Sequence, residues 1–471
     1  SVLYGLADEK MAAEIEEIYM DSVRETAAAV EQWAGYALSG HHGDGHQAAR
    51  LESSGIIASL TLHRSARPVG GRVGDPHLHA HLMVANLVRG EDGKWRTLAS
   101  GGRDLHRHVA AAGELAKARM RARLTKEFGV RWERDPRTGE WEIAGIGPEI
   151  RRRYSRRSAT IVDAAGEGAT PAQRRTVGQK LAQAKQPVKA SHARTEWRNE
   201  AVSAGIDPEQ LIADVTGRGG VGADATGNSL PTPPSLDELA AIVWDPETGV
   251  TANRKTVTRA QVLVAVAAAH PYGLTAAELE VRTDEVLSVA QAVRMPTTTG
   301  VSHQSNVGRW TSADIVAAER TVTEAAERRL AQNSAVVDGE RVEAALAGFE
   351  RNQGFTLSEE QRRTAERLLT AGHGIDVVRG VAGAGKTTLM SAVRTGWEAA
   401  GYRVEGAATA AVAAVNLTAE AGIPAHTVAS WLRRIESGTG LEGVDVLVLD
   451  EAAMIDDRSM AALVAAAEES G

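Results

Sequence analysis

Three histidines alternate with other residues in the stretch DPHLHAHLMVANL, which begins at Asp75. Alternate side chains of a strand share one face, so His77, His79 and His81 would project to the same side. Successive imidazoles would lie roughly 7 Å apart, close enough to converge on one ion. Imidazole suits zinc, manganese, iron or nickel better than magnesium. An isolated H-x-H pair is usually structural or exposed, but the nearby strand-like GIIASLTLHR carries His63. The pattern therefore predicts a divalent-metal site.

A second stretch, GVAGAGKT at residues 380–387, fits the phosphate-binding pattern G-x-x-x-x-G-K-[ST]. Its glycines let backbone N–H groups close around phosphate oxygens at the positive end of a helix. Lys386 would reach the β- and γ-phosphates, and the hydroxyl of Thr387 would ligate Mg²⁺. The segment GIDVVRG before this loop is predicted as a strand, and TTLMSAVRTGWEAAG after it as a helix.

The stretch VDVLVLDEAAM, further along the chain, predicts a buried strand that ends in two carboxylates. Asp450 would hold the Mg²⁺ ion, and Glu451 would orient the attacking water. A glycine-rich turn and two surface acids would be the unremarkable alternative. Because both motifs stand in the correct order and context, we predict a site for ATP with Mg²⁺.

The elements that must position these residues belong to a 471-residue chain, long enough for about three domains. The chain has no cysteine, which excludes disulfides and thiolate metal sites. No apolar run reaches the roughly 18 residues that span a membrane, so a cytoplasmic protein without membrane insertion is expected. A helix is predicted over 8–38, strands over 55–64 and 77–88, and a basic helix over about 104–128.

The net charge of −8 is unevenly distributed. Between Lys94 and Arg157 the sequence has 17 Lys and Arg against 8 Asp and Glu, a local charge of +9. A basic segment inside an acidic chain is typical of a localised phosphate-binding surface. A solvated, arginine-rich helix is the alternative interpretation.

The region around the phosphate loop resembles superfamily-one helicases of the RecD type, through GFTLSEEQRRTAERLL before the loop and AHTVASWL after it. The resemblance covers about residues 349–471. It implies that Gln361 contacts the adenine base, and that the later helicase motifs, with the arginine that completes ATP hydrolysis, lie beyond Gly471. The predicted nucleotide contacts are Gln361, Gly380, Gly383, Gly385, Lys386, Thr387, Thr388 and Asp450, with Glu451 in the catalytic role.

The histidine region, with LHRSAR, DPHLHAHLMVANL and EDGKWRTL, resembles the HUH relaxase domain of conjugative relaxases of the TrwC/TraI (MobF) class. The resemblance implies that His63, His79 and His81 hold a divalent ion (Mg, Mn or Zn) and that His77 is not a ligand. Two departures are that Ser65–Ala66 replaces Thr-Ser and that PVGGRVG lengthens the connection. The resemblance extends more loosely to about residue 205, with DNA contacts expected at Arg151, Arg152, Arg153, Arg156 and Arg157.

The same resemblance implies a transesterification in which a tyrosine hydroxyl attacks a DNA phosphodiester, leaving a 5′-phosphotyrosyl link and a free 3′-OH. The six tyrosines are Tyr4, Tyr19, Tyr36, Tyr154, Tyr272 and Tyr402. None is assigned as the nucleophile. The opening SVLYGLADE resembles the end of the family's F-S-A-P-K-S-V-S segment, so the nucleophile and the general-base Asp are expected upstream of Ser1. The fragment is then expected to be inactive both in nicking and in unwinding.

The predicted fold class is multidomain α/β: an HUH-type relaxase domain with an antiparallel sheet and helices, a helical linker region, and a RecA-like P-loop domain. The predicted boundaries are 1–205 for the relaxase domain, 206–234 for a Gly/Pro-rich linker, 235–345 for a small helical helicase-associated region and 346–471 for the P-loop domain.

The predicted function is that of a DNA relaxase–helicase of conjugative plasmid transfer. Its expected partners are single-stranded and origin-of-transfer DNA, ATP, and conjugation accessory and coupling proteins. One alternative is an ATP-dependent helicase whose N-terminal half is a non-catalytic DNA-binding module. Another is an HUH transposase or replication initiator.

Overall fold

A computed structural model describes residues 1–40, 48–166, 168–182, 188–217, 232–296, 306–381 and 383–470. These residues form two compact units, Ser1–Ser312 and Ala313–Gly471, which are considered separately below. Among the described helices, none combines the length and the apolar character needed to cross a membrane.

In the first unit, helices come before, between and after the strands in the sequence. Its helices are α1 (Val2–Leu6), α2 (Glu9–Ala34), α3 (Arg103–Phe128), α4 (Pro148–Arg153), α5 (Arg156–Ala165), α6 (Pro171–Lys180), α7 (Ala190–Ser203), α8 (Pro208–Val215), α9 (Leu236–Val243), α10 (Arg259–Ala269) and α11 (Ala276–Val286). Its strands are β1 (Ala37–Ser39), β2 (Ala49–Leu51), β3 (Ser53–Ser65), β4 (Pro76–Gly90), β5 (Trp95–Arg96), β6 (Trp132–Arg134), β7 (Trp141–Ile143), β8 (Ala292–Arg294) and β9 (Trp310–Ser312).

A long antiparallel pair, β3 and β4, forms most of the sheet β3–β4–β5. His63 lies directly opposite His79, and Thr61 lies opposite His81. Because alternate residues share a face, this register places all three predicted ligands on the same side of the sheet. The other face of β4 contributes Leu78 to a core that includes Tyr4 of α1, Ile15 of α2 and the buried Trp197 of α7.

A second core joins α2 and α3 to α9, α10 and α11. Leu115 and Ala118 of α3 share this core with Val262 and Leu263 of α10 and with Leu239 of α9, all of them buried. Burial of each of these leucine and valine side chains contributes on the order of 1.5–3 kcal/mol. The helices after residue 235 are therefore packed into the first unit up to Ser312.

The carboxyl end of α10 is held by side chains that lie far away in the sequence. Arg121 Nη2 donates to Ala267 O at 2.8 Å. Arg134 Nη2 and Trp141 Nε1 both donate to Ala268 O, at 2.5 and 2.7 Å. Since the last turn of a helix leaves its carbonyls without partners in the helix, these three donors cap α10.

The second unit alternates helices and strands. It contains α12 (Ala313–Arg328), α13 (Gly339–Gln353), α14 (Glu359–Thr370), α15 (Lys386–Ala399), β10 (Val404–Ala408), α16 (Ala411–Ala421), β11 (Ala425–Thr427), α17 (Val428–Glu436), β12 (Val446–Leu449) and α18 (Asp457–Glu469). The strands form a parallel sheet in the order β11–β10–β12. The predicted mixed α/β fold class is confirmed: the first unit has an antiparallel sheet with helices, and the second has a parallel sheet with helices.

The prediction of a strand immediately before the phosphate loop was wrong. Residues 374–380 form no strand, and the side chains of Val377 and Val381 are 73% and 79% exposed. A strand persists only when its backbone groups are paired with a neighbour. Both edges of β10 are occupied, by β11 and β12, and no described strand pairs with this segment.

The boundary between the two units, at Ser312, falls inside the region 235–345 that was predicted as one helical domain. The predicted linker 206–234 begins with α8, and its residues 218–231 lie outside the described ranges. The division into four domains stays a prediction.

Candidate functional site

The predicted metal ligands come together at one end of the β3–β4 pair. One ring nitrogen from each of His63, His79 and His81 lies within 4.8 Å of the other two. The ring centroids of His63 and His81 are 4.7 Å apart, and those of His79 and His81 are 5.3 Å apart. Two of the rings are half-buried and His81 is exposed, so the cluster opens to solvent on one side.

One pair of ring nitrogens has the separation expected of two ligands to one divalent ion. His63 Nδ1 and His79 Nε2 are 3.3 Å apart. Two nitrogens that each lie about 2.0–2.1 Å from one tetrahedral zinc ion are separated by roughly the same distance. The Nδ1 atom of His79 donates to the backbone carbonyl of His77 at 2.9 Å, which leaves its Nε2 lone pair directed at the cluster.

The side chain of His77 is not in this group of three. Its ring lies beside the ring of His79, and the two ring centroids are 4.5 Å apart. The contribution of His77 to the site is its backbone carbonyl, which fixes the tautomer and the ring orientation of His79.

Arg64, the residue after His63 on β3, belongs to a cluster of charged and polar side chains. Arg64 donates to both carboxylate oxygens of Glu16, at 2.6 Å each, and the hydroxyl of Tyr4 donates to the same carboxylate at 2.7 Å. Burial opposes the ionisation of Glu16, but these hydrogen bonds outweigh it and hold its pKa below the ordinary value. Sequence reasoning missed Glu16, because 48 residues separate it from Arg64 and no motif joins them.

Three of the tyrosine hydroxyls form hydrogen bonds within the first unit. Tyr4 donates to Glu16, Tyr154 donates to Trp197 O at 2.8 Å, and Tyr19 accepts from Ala80 N at 2.9 Å. Burial, with the nearby Glu16 carboxylate, raises the pKa of Tyr4 to about 12. Burial, with the nearby Glu200, raises the pKa of Tyr154 to about 12. A nucleophile needs the opposite change, a lowered pKa or an adjacent base.

The raised tyrosine pKa values predict a loss of stability at alkaline pH. Tyrosines of the unfolded chain ionise near pH 10, whereas Tyr4 and Tyr154 keep their protons until about pH 12. The unfolded state therefore binds fewer protons in this window, and the free energy of unfolding should fall as the pH rises through it. Urea unfolding at several pH values should show a shallower fall for Tyr154→Phe. A fall that is as steep for Tyr154→Phe as for the wild type would contradict the prediction.

The five arginines predicted to contact DNA fall into two groups. Arg151 is paired with Asp135 at 3.1 Å, and Arg156 is paired with Asp75 at 2.6 Å. Arg157 donates to Gly178 O at 3.0 Å, so it is also engaged within the protein. Arg152 and Arg153, at the end of α4, are exposed. Of the five, these two guanidinium groups are the ones placed to meet a phosphate.

Many cations of the basic helix α3 are likewise paired within the fold. Lys117 lies 2.7 Å from Glu114 and 2.9 Å from Glu140, and Arg119 pairs with Glu25 of α2. The local charge of +9 counts residues between Lys94 and Arg157 and cannot include Glu25. The excess charge of this segment is therefore partly neutralised by its neighbours in space.

The phosphate loop leads directly into α15. Gly383 and Gly385 have φ values of +78° and +74°, a backbone region that glycine adopts without strain. Lys386 is the first residue of α15, followed by Thr387 and Thr388, and its Nζ donates to Gly380 O at 3.1 Å. These residues therefore stand at a helix N-terminus, where backbone N–H groups are available to an anion.

Gln361 also lies against this loop. Its Nε2 donates to Ala384 O at 3.2 Å, and its Oε1 accepts from Ser358 N at 3.0 Å as part of the cap of α14. The structure thus brings Gln361 and the phosphate loop together, as expected for residues that share one nucleotide.

The two predicted carboxylates follow β12. Asp450 N donates to Ala407 O of β10 at 2.9 Å, which fixes the turn to the sheet. Glu451 has a φ of +49°, in the left-handed region that is uncommon for residues other than glycine. Strained backbone of this kind clusters at functional sites.

Comparison with known proteins identifies both parts of the chain. Residues 1–204 match the family model described as TrwC relaxase, and residues 356–471 match the model described as AAA domain. Residues 1–204 are therefore similar to TrwC relaxases. This matched segment contains the histidine cluster, and the segment matched by the AAA model contains the phosphate loop and the two carboxylates.

Curated conjugation proteins are similar to parts of the chain. The chain is 46% identical over 134 residues to a probable conjugal transfer protein TraA of Sinorhizobium fredii, over 28% of this chain and 12% of the relative. It is 26% identical over 168 residues to the multifunctional conjugation protein TraI of Escherichia coli, over 34% of this chain and 9% of the relative. The matched segment is therefore about a tenth of the length of these relatives.

Solved structures of the conjugative relaxase TrwC are also similar to the chain. One, in complex with mutant OriT DNA, is 22% identical, with a TM-score of 0.36, and the match covers 42% of this chain and 68% of that chain. A metal-bound complex with OriT DNA is 23% identical, with a TM-score of 0.36 and coverages of 42% and 66%.

Proposed function

We propose that the chain is part of a DNA relaxase–helicase of conjugative transfer. Its relaxase domain would act on single-stranded DNA at an origin of transfer, and its AAA domain would couple ATP hydrolysis to unwinding. The observation that carries the proposal is the convergence of His63, His79 and His81 within 4.8 Å, in a chain that also has a phosphate loop. Conjugation accessory and coupling proteins are the proposed protein partners.

The histidine cluster would hold a divalent ion, and its imidazole donors favour zinc over magnesium. When bound, such an ion supplies Lewis-acid polarisation of a phosphodiester. The chain's own residues hold the three rings in place, through the carbonyl of His77 on one side and the Arg64–Glu16 pair behind β3.

The nucleophile of the transesterification would be a tyrosine from outside residues 1–471. Tyr4 and Tyr154 are buried and hydrogen-bonded, with raised pKa values, and Tyr36 is buried against Asp104. Tyr402 donates to Val336 O in the second unit. The hydroxyl of Tyr19, on α2, accepts a hydrogen bond from Ala80 N of β4.

In the AAA domain, Gly380, Gly383 and Gly385 would surround the phosphates of ATP. Lys386 would pair with the β- and γ-phosphates, and Thr387 with Asp450 would hold Mg²⁺. Glu451 would orient the attacking water, Thr388 would support the loop, and Gln361 would contact adenine.

A DNA-binding and cleavage assay tests the proposal. The full chain with Mn²⁺ should bind a labelled single-stranded oligonucleotide of mixed sequence and should neither cleave it nor form a covalent adduct on a denaturing gel. Arg152→Ala with Arg153→Ala should weaken binding, and the effect should shrink as salt is raised. Absence of binding would overturn the DNA relaxase assignment. A covalent adduct would overturn the placement of the nucleophile outside these residues.

A further inference from the structure

Asp75 is a buried carboxylate next to the histidine strand, and it is not one of the grouped metal ligands. Its side chain is only 4% exposed. Arg156 donates to it three times: from the backbone N at 2.7 Å, from Nε at 2.7 Å and from Nη2 at 2.6 Å. A planar guanidinium that meets a carboxylate with two donors fixes both position and direction.

The position of Asp75 in the hairpin links it to the cluster. The backbone carbonyl of Asp75 accepts a hydrogen bond from Ala66 N at 2.9 Å. The next residue, Pro76, pairs with Ser65, and this pair is the last one of the β3–β4 ladder. The ladder has an irregularity between His63 and Ser65. Because the ladder is interrupted next to His63, ladder hydrogen bonds alone do not fix the position of β4 relative to β3 here. That position therefore depends on the contacts that hold residues 74 and 75.

Two helices hold Asp75 and its neighbour from outside the sheet. Arg156 begins α5, and its Nη1 lies 3.3 Å from Glu200 of α7. Trp197, also on α7 and fully buried, donates from Nε1 to Gly74 O at 3.0 Å. Residues 74 and 75 are thus connected to the helical layer by several directional bonds.

We infer that Asp75 and Arg156 are positioning residues of the metal centre: they fix the start of β4 so that His79 meets His63 at ligand separation. The inference rests on the proposed metal-binding function. It assigns Arg156 a role inside the protein in place of the predicted DNA contact. The 3.3 Å separation of the two ring nitrogens leaves little tolerance, since a shift of the strand by about 1 Å would carry one nitrogen out of the range of a metal–ligand bond.

The test is Co²⁺ titration of the full chain, because the visible spectrum of bound Co²⁺ reports ligand geometry as well as affinity. Asp75→Asn keeps the shape of the side chain and removes its charge. We expect it to weaken Co²⁺ binding by about 10- to 100-fold and to change the spectrum, as for other residues that orient metal ligands indirectly. Arg157→Lys is the matched control, since Arg157 is the next residue of α5 and its side chain donates to Gly178 O, away from Asp75.

A purely structural role gives a different result. If Asp75→Asn lowers the melting temperature of the metal-free chain but leaves Co²⁺ affinity and spectrum unchanged, the inference is overturned. Should Asp75→Asn fail to fold, Arg156→Lys retains the charge, loses the two-pronged geometry, and should still alter the spectrum. If the wild-type chain shows no Co²⁺ spectrum that depends on His79, the metal site itself is wrong and the inference is overturned with it.

Discussion

His79→Ala is expected to abolish tight binding of a divalent ion by the chain. His79 is one of the three grouped rings: its Nε2 lies 3.3 Å from His63 Nδ1, and its ring centroid lies 5.3 Å from that of His81. Loss of residues that only orient a ligand costs about 10- to 100-fold in affinity, so loss of a ligand should cost more than about 100-fold. Calorimetric titration with Zn²⁺ or Mn²⁺, together with elemental analysis of the purified protein, measures the change.

His77→Ala is the matched control for this experiment. It lies on the same strand and on the same face, and it contributes to the site through a backbone carbonyl that alanine retains. Its metal content should equal that of the wild type. Retention of metal by His79→Ala, or an equal loss in His77→Ala, would show that the cluster is not the binding site.

Lys386→Ala is expected to reduce ATP affinity by about 100-fold. The ammonium group at the start of α15 would lie against the β- and γ-phosphates, and removal of one member of a close charge pair costs about 2–5 kcal/mol. Lys386 now donates to Gly380 O, within the loop itself, so its removal leaves the hydrophobic core untouched. Fluorescence anisotropy of a labelled ATP analogue measures the change.

Arg363→Ala removes a cation from the same unit without touching the loop. Arg363 is exposed on α14 and pairs with Glu359, one turn away. Its ATP affinity should match that of the wild type. If both variants bind the analogue as tightly as the wild type does, the phosphate loop has no role in nucleotide binding.

The positions of the ligands could be predicted in part from the sequence. Strand alternation places His79 and His81 on one face, and this needs only the period of a strand. The pairing of His63 with His79 depends on a register that includes several irregularities, and no local pattern encodes those. The bond from His79 Nδ1 to the carbonyl of His77 follows from side-chain rotation, which is also outside the reach of sequence patterns.

Counting charges along the sequence predicted the available cations less well than strand alternation predicted the histidine cluster. It treats Arg152 and Arg156 alike, although one is exposed and the other is bound to Asp75 from 81 residues away. The strand predicted before the phosphate loop failed for a related reason. Apolar residues in GIDVVRG give the segment strand character, but a strand also requires a neighbour, and the neighbour is a property of the fold.

The capping of α10 affects where a fragment that contains residues 1–204 can end. The family match ends at residue 204, but Leu115 and Ala118 of α3 are covered by residues that come after it. A truncation at this point would bare an apolar stripe along α3 and would deprive Arg121 of its carbonyl acceptor. Such a fragment should aggregate at concentrations at which one ending at Ser312 stays in solution. The segment that is similar to known relaxases is thus shorter than the segment whose apolar surfaces are covered.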